Sequence, residues 1–280
     1  MTSSQVGPWA KEKLDRLSKY LNAYTTILRR QKWCEGFVYI DAFAGPGGHV
    51  LRRRQAPSDA AGMLFDVAIF SQEDQDQQDF ISGSPRVALD IKFPFTHYVF
   101  VEKDPERRNS LERLKAEYGE KRSIAIREED CNHYLLGKLI KNPRVNWSRW
   151  RAVIFLDPFG MHVPWATLEA LGRTGSIEVF LNFPVGMAIQ RLLLRSADFT
   201  PKQREKLDAY FGSPEWYEVL YRVKPNFFGE APVKVEESGL ALVNWYRKRL
   251  QIVFGHSSKA ALIRNTKGGH LYYLLLLAAV

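Results

Sequence analysis

Cysteine is scarce in this chain: Cys34 and Cys131 are the two in 280 residues. Two cysteines build neither a disulfide scaffold nor a cysteine-rich metal site, so a reduced, cytoplasmic setting is the expectation. Histidine is thin as well. His49, His162 and His270 are dispersed, with no cysteine or carboxylate at ligand spacing, and no metal site is predicted. Long apolar runs are missing; the longest, Leu271 to Val280, is too short to span a bilayer, so no membrane partner is expected. No early window joins a basic start, an apolar core and a small-residue cleavage site, which argues against a signal peptide. Internal repeats are absent too.

What is present is ordinary globular material: 45% hydrophobic and 25% charged residues, enough chain for one large α/β domain with additions. A net charge of +9 favours anionic partners such as nucleic acid. The basic residues are spread over Arg52-Arg-Arg54, Arg107-Arg108 and Arg247-Lys-Arg249, and solvated helix faces account for that spread equally well.

The most informative stretch is Tyr39-Ile-Asp-Ala-Phe-Ala-Gly-Pro-Gly-Gly48. A β-branched and aromatic run, Phe37 to Ile40, breaks into a loop with three glycines. Open α/β sheets build nucleotide sites in this way, because a residue without Cβ lets the backbone approach the ligand. Before it, Trp9 to Gln31 reads as an amphipathic helix with Leu14, Leu17, Leu21, Tyr24 and Leu28 at three- and four-residue steps. Further strands are predicted at His97 to Val101, Ser123 to Ile126, Ala152 to Leu156 and Ile177 to Leu181, with helices between them. Residues 49–82 break the pattern and read as a partly mobile insertion, ending in the acidic, glutamine-rich run Ser71 to Asp79. Ser84 is a candidate N-cap for a helix entered by Pro85. Residues 185–253 are predicted to form a helical cap within the same domain. A terminal hairpin runs from Ala260 to Arg264, through Lys267-Gly-Gly269, to Leu271 to Leu277. The resulting fold class is α/β: a doubly wound, mostly parallel, Rossmann-like sheet with a terminal antiparallel hairpin and a helical insertion.

In such sheets ligands bind beyond the carboxyl ends of the strands. The candidate residues track those ends: Asp41, Phe43, Gly45, Gly47 and Gly48 after the first strand, Glu102 and Asp104 after the second, and Asp130 after the third. Asp157, Pro158 and Phe159 follow the fourth, and Asn182 the fifth. Together they suggest S-adenosylmethionine on the glycine loop and a target amine at Asp157-Pro-Phe-Gly160. Glu102 has two acceptor oxygens for ribose hydroxyls, and Asp130 can accept from the adenine amine. A helix-dipole charge at Glu102 and a plain N-cap at Asp130 are the structural alternatives. Asp157 and the Pro158 carbonyl can orient an exocyclic amine, and Phe159 can stack a base drawn from its helix. Arg52, Arg53 and Arg54 can hold phosphates, and Asn182 joins them as a substrate contact.

The ordered string Tyr39 to Gly47, Gly83-Ser-Pro85, Phe100-Val-Glu102, Phe155 to Gly160, Trp165 and Asn182-Phe-Pro184 resembles the three-Cys-motif partner protein family of bacteria, over most of the chain. That resemblance implies a class I methyltransferase-like fold and a partner, a radical-type iron–sulfur protein that carries the three cysteines. Asp-Pro-Phe-Gly is also similar to the fourth motif of transfer-RNA guanine amine methyltransferases. The glycine loop with Gly-Ser-Pro is similar to an adenine amine methyltransferase of ribosomal RNA. The 49–82 insertion and the single proline after Asp157 depart from those relatives. Two other readings stand beside the amine methyltransferase: a dinucleotide-dependent oxidoreductase, and a non-catalytic methyltransferase-fold partner module.

Overall fold

The computed structural model describes residues 8–46, 83–158, 160–184, 189, 193, 197–226, 229–264 and 268–279. The chain starts with α1 (Pro8–Leu28) and β1 (Gly36–Asp41). Alternation then follows: α2 (Ser84–Leu89), β2 (His97–Val101), α3 (Pro105–Tyr118), β3 (Ile124–Arg127), α4 (Cys131–His133), β4 (Trp150–Leu156), α5 (Trp165–Gly172) and β5 (Ile177–Phe183). Helix α4 runs on into π-helical turns at Tyr134–Leu139.

Strands β1 to β5 pair in parallel in the order 3-2-1-4-5. Beside β5 lies β10 (His270–Ala278), antiparallel to it, and β10 also pairs with β8 (His256–Ser257) and β9 (Ala261–Arg264). The sheet has eight strands among the described residues and is the predicted Rossmann-like, mostly parallel sheet with its terminal hairpin. Reversal of strand order at β1 and β4 sets the crevice where ligands bind in sheets of this kind.

Central strands covered on both faces should be apolar throughout, and they are. Val38, Ile40, Ala152, Ile154 and Leu156 face one core with α4, α5 and the later helices. Tyr39, Phe100, Val153, Phe155 and Phe180 face the other, under α1, α2 and α3. Strand alternation carries past the strand ends. Asp41, two residues on from Tyr39, and Asp157, two on from Phe155, belong to the α1 side, as does Asn182, two on from Phe180.

Two local outcomes differ from the sequence reading. Ser84 is the first residue of α2 rather than its cap, which is Gly83; its hydroxyl has a better use at Asp41. The segment expected to form a helical cap holds helices α6 (Pro201–Phe211), α7 (Trp216–Leu220) and α8 (Ser238–Phe254), but also a hairpin, β6 (Tyr221–Asn226) with β7 (Gly229–Lys234). Pro225 and Pro232 hid it, since proline weakens a strand signal and fits an isolated two-stranded ribbon. Aromatic rings tie these helices to the sheet and to each other: Phe183 of β5 stacks on Tyr246 of α8 at 4.9 Å, and Phe211 of α6 lies tilted beside Trp216 of α7 at 6.0 Å. The expected insertion at 49–82 lies outside the described residues.

Candidate active site

The loop after β1 is tied to its neighbours by backbone bonds. Ala42 donates to the Phe155 carbonyl and Ala44 to the Val101 carbonyl, both at 3.1 Å. Gly45 takes φ +60, a left-handed conformation that glycine adopts without a Cβ clash. That turn aims the Gly45 N–H at Glu102 Oε2, 3.0 Å away, while Asp104 N–H donates to Oε1 at 2.9 Å. One carboxylate at the end of β2 therefore clamps the loops after both strands. Each oxygen keeps a further lone pair for a ligand.

A half-open cleft of about 240 Å³ lies at this end of the sheet. Phe43, Val101, Glu102, Asp130, Cys131 and His162 are among its lining residues. Of the predicted cofactor residues, Phe43, Glu102 and Asp130 meet here. Asp104 instead caps α3, accepting from the Glu106 and Arg107 amides at 2.9 and 3.0 Å. Asp130 likewise caps α4 through the Asn132 and His133 amides, and pairs with Lys103 at 2.9 Å. Partial burial pushes the Asp130 carboxyl up, but Lys103 and the capped amides outweigh it and hold the group below its usual range. Burial raises the Cys131 thiol to about 12, so it is an inert wall of the cleft rather than a nucleophile.

Asp41 is wholly buried and lies beside the cleft rather than on its wall. Its Oδ2 accepts from Ser84 Oγ at 2.7 Å and Tyr39 OH at 3.3 Å; its Oδ1 accepts from the Phe43 amide at 3.3 Å. The Gly83-Ser84-Pro85 motif thus serves the β1 loop from a distance in sequence. Burial lifts the Asp41 carboxyl to about 7, and the charge of Asp157 adds to this, although the Ser84 hydroxyl opposes it.

Asp157 is fully buried at the end of β4. Its Oδ1 accepts from Asn182 Nδ2 at 2.5 Å and from Lys13 Nζ at 2.6 Å. Among the described residues, Asp157 Oδ2 and Asn182 Oδ1 are buried acceptors with no hydrogen-bond partner. Lys13 was not predicted. Both it and Asp157 are 0% exposed, and its ammonium also sits 4.5 Å from the Tyr272 ring. Burial lowers the lysine to about 8, while the charges of Asp157 and Asp41 pull it back up. A signal existed: Lys13, Leu17, Leu21, Tyr24 and Leu28 form one stripe of α1, with a lysine in line with its apolar face. Pro158 is buried beside Asp157. Gly47, Gly48, Arg52, Arg53, Arg54 and Phe159 lie outside the described residues.

The residues present suit a nucleoside-bearing cofactor. Ala42, Phe43, Val101 and Cys131 offer apolar surface for a base, and Glu102 offers open acceptor capacity for ribose hydroxyls. Among the described residues, no helix is long and apolar enough to cross a membrane.

No family model and no curated protein matches the chain. Solved structures do. YhhF from Escherichia coli, provisionally described as a methyltransferase, is 10% identical with a TM-score of 0.35, covering 95% of this chain and 87% of its own. A chain from Listeria monocytogenes, provisionally described as S-adenosylmethionine dependent, is 8% identical with a TM-score of 0.37, covering 93% and 99%. Geranyl diphosphate C-methyltransferase from Streptomyces coelicolor A3(2), solved with S-adenosyl-L-homocysteine, is 10% identical with a TM-score of 0.34, covering 97% and 82%. Superpositions this loose leave the fold to rest on the strand order and register described above.

Proposed function

We propose that this chain is an S-adenosylmethionine-dependent methyltransferase acting on an exocyclic amine of a nucleic-acid base. One observation carries the reading: at the strand-order reversal, a buried carboxylate with an open oxygen, Asp157, lies across β1 from a cleft whose acidic wall is Glu102. The cofactor supplies an electrophilic methyl group on a sulfonium. Glu102 binds the ribose, and Phe43 with Ala42 and Val101 flanks the adenine. Asp130 meets the adenine amine with the lone pairs left by its capped amides and Lys103. Asp41 works from behind, holding the loop through Phe43 and Ser84.

Asp157 orients the acceptor nitrogen so that its lone pair faces the methyl group. A neutral base amine is already a nucleophile once aimed, so positioning outweighs proton removal. Phe159 stacks the base, and Arg52, Arg53 and Arg54 hold its phosphates, in line with the net charge of +9. Support for the three-Cys-motif partner family comes from the ordered sequence motifs, and it brings a radical-type iron–sulfur protein as the companion. The test is tritiated methyl transfer from the cofactor to mixed DNA and RNA, with and without that companion. Label in nucleic acid upholds the proposal; label in protein alone overturns the substrate class.

A further inference from the structure

The pair formed by Asp157 and Asn182 has a feature that positioning by one carboxylate does not require. Asn182 donates to Asp157 Oδ1, which fixes its amide: Nδ2 faces the carboxylate and Oδ1 faces away. Lys13 binds the same Asp157 oxygen. One carboxylate oxygen is thus held from two sides, and two buried oxygens, Asp157 Oδ2 and Asn182 Oδ1, are left as acceptors. A buried acceptor without a donor is destabilising, because it has given up water for nothing, so two on touching side chains mark a place where a ligand supplies donors.

Resting on the methyltransferase reading, we propose that Lys13 is a positioning residue that locks the Asp157–Asn182 pair, so that its two open oxygens receive both N–H bonds of a primary amine. The acceptor is then an –NH2 group, and the product stops at the monomethyl stage. During transfer the nitrogen lone pair forms the N–CH3 bond, and the S–CH3 bond breaks with its electrons retained by sulfur, giving a thioether. The surplus proton leaves nitrogen along its hydrogen bond to Asp157 Oδ2 and passes to solvent. A monomethylated amine has one N–H, which leaves one of the two acceptors unmatched, so it is a poor second substrate.

Lys13 meets charged and titratable groups from several elements: Asp157 and Asp41 at the ends of β4 and β1, and Tyr272 on β10. Burial holds Tyr272, and Tyr39 beside Asp41, un-ionised far into the alkaline range. Lys13 itself loses its proton near 8, which gives an alkaline limb to the rate.

The experiment compares the full chain with its Lys13→Met and Lys13→Arg variants. Calorimetry with S-adenosylhomocysteine reports the cofactor site. Tritiated transfer to mixed RNA and DNA, followed by nucleoside mass spectrometry, reports turnover and product. We expect monomethylamino nucleosides only. Lys13→Met should keep cofactor affinity within about threefold while kcat falls roughly a hundredfold, the scale of a misplaced acceptor. Lys13→Arg should restore part of kcat and move the alkaline limb upward, because guanidinium stays charged. A Lys13→Met turnover near wild type, or dimethylamino product, overturns the proposal. If Lys13→Met does not fold by circular dichroism, an unmoved alkaline limb in Lys13→Arg overturns it instead. Failure of the wild type to bind cofactor or transfer methyl is a different result and removes the underlying reading.

Discussion

Glutamine in place of Glu102 is the more revealing change at the cofactor cleft, despite its matching shape. Both carboxylate oxygens accept a backbone N–H, from Gly45 at 3.0 Å and Asp104 at 2.9 Å. A glutamine amide has one acceptor and one donor group, so whichever way it is placed its NH2 confronts an N–H. Losing one hydrogen bond to a charged group costs about 1.5–3 kcal/mol, and the donor left behind adds to that if water cannot reach it. Glu102 is half-buried, which lets water relieve part of the loss. A net cost of about 2 kcal/mol is expected, or roughly 3–4 °C in melting temperature from the per-residue unfolding entropy of a chain this long. Glu102→Ala opens room for water at both donors and should destabilise no more than Glu102→Gln. Both variants should weaken S-adenosylmethionine binding by about 1.5–3 kcal/mol, more than tenfold. Thermal melts of the unliganded protein and calorimetric titration measure the two effects separately. A Glu102→Gln protein that melts and binds cofactor like the wild type refutes the clamp and the ribose role together.

Other expectations concern the buried face and the cap. Asp157→Ala should abolish methyl transfer with cofactor affinity nearly intact, and should cost about 3–5 kcal/mol of stability by stranding the Lys13 ammonium; tritium transfer at wild-type rate removes Asp157 from the reaction. The folded-state rise of Asp41 to about 7 from its model-peptide 3.8 means the folded chain holds that proton more tightly, so wild-type stability should fall relative to Asp41→Asn as pH climbs from about 4 to 7. Parallel melting curves across that window would show Asp41 to be an ordinary carboxylate. Gly212 has φ +67, and a Cβ there would meet the Trp165 ring at 2.1 Å. Gly212→Ala should therefore lose at least about 2 kcal/mol in urea unfolding, combining left-handed strain with the clash; an unchanged midpoint contradicts that packing.

Much of this arrangement was legible before any coordinates. Short, continuously apolar strands followed by Asp41, Glu102, Asp130 and Asp157 predict the parallel sheet and its ligand edge, and β1, β2, β4 and β5 run within a few residues of the expected limits. Sequence could not tell which side of the sheet each carboxylate serves. Strand alternation sends Asp41, Asp157 and Asn182 under α1 once the cores are known, but Glu102, two on from Phe100, shares that parity, and the loops beyond the strand ends are what bring Phe43, Glu102 and Asp130 to the cleft. Lys13 escaped because a lysine reads as solvated even when it is in line with an apolar stripe, and only a carboxylate 144 residues away explains its burial. The role of Ser84 depends on a partner distant in sequence for the same reason, whereas the β6–β7 hairpin is local and was masked by Pro225 and Pro232.

Titration of the wild-type protein with S-adenosylmethionine, with a nicotinamide dinucleotide as comparator, tests the central claim most directly. Saturable, one-to-one binding of S-adenosylmethionine that Glu102→Ala weakens more than tenfold, with no binding of the dinucleotide, is the expected result. Absence of S-adenosylmethionine binding, or preference for the dinucleotide, contradicts the account.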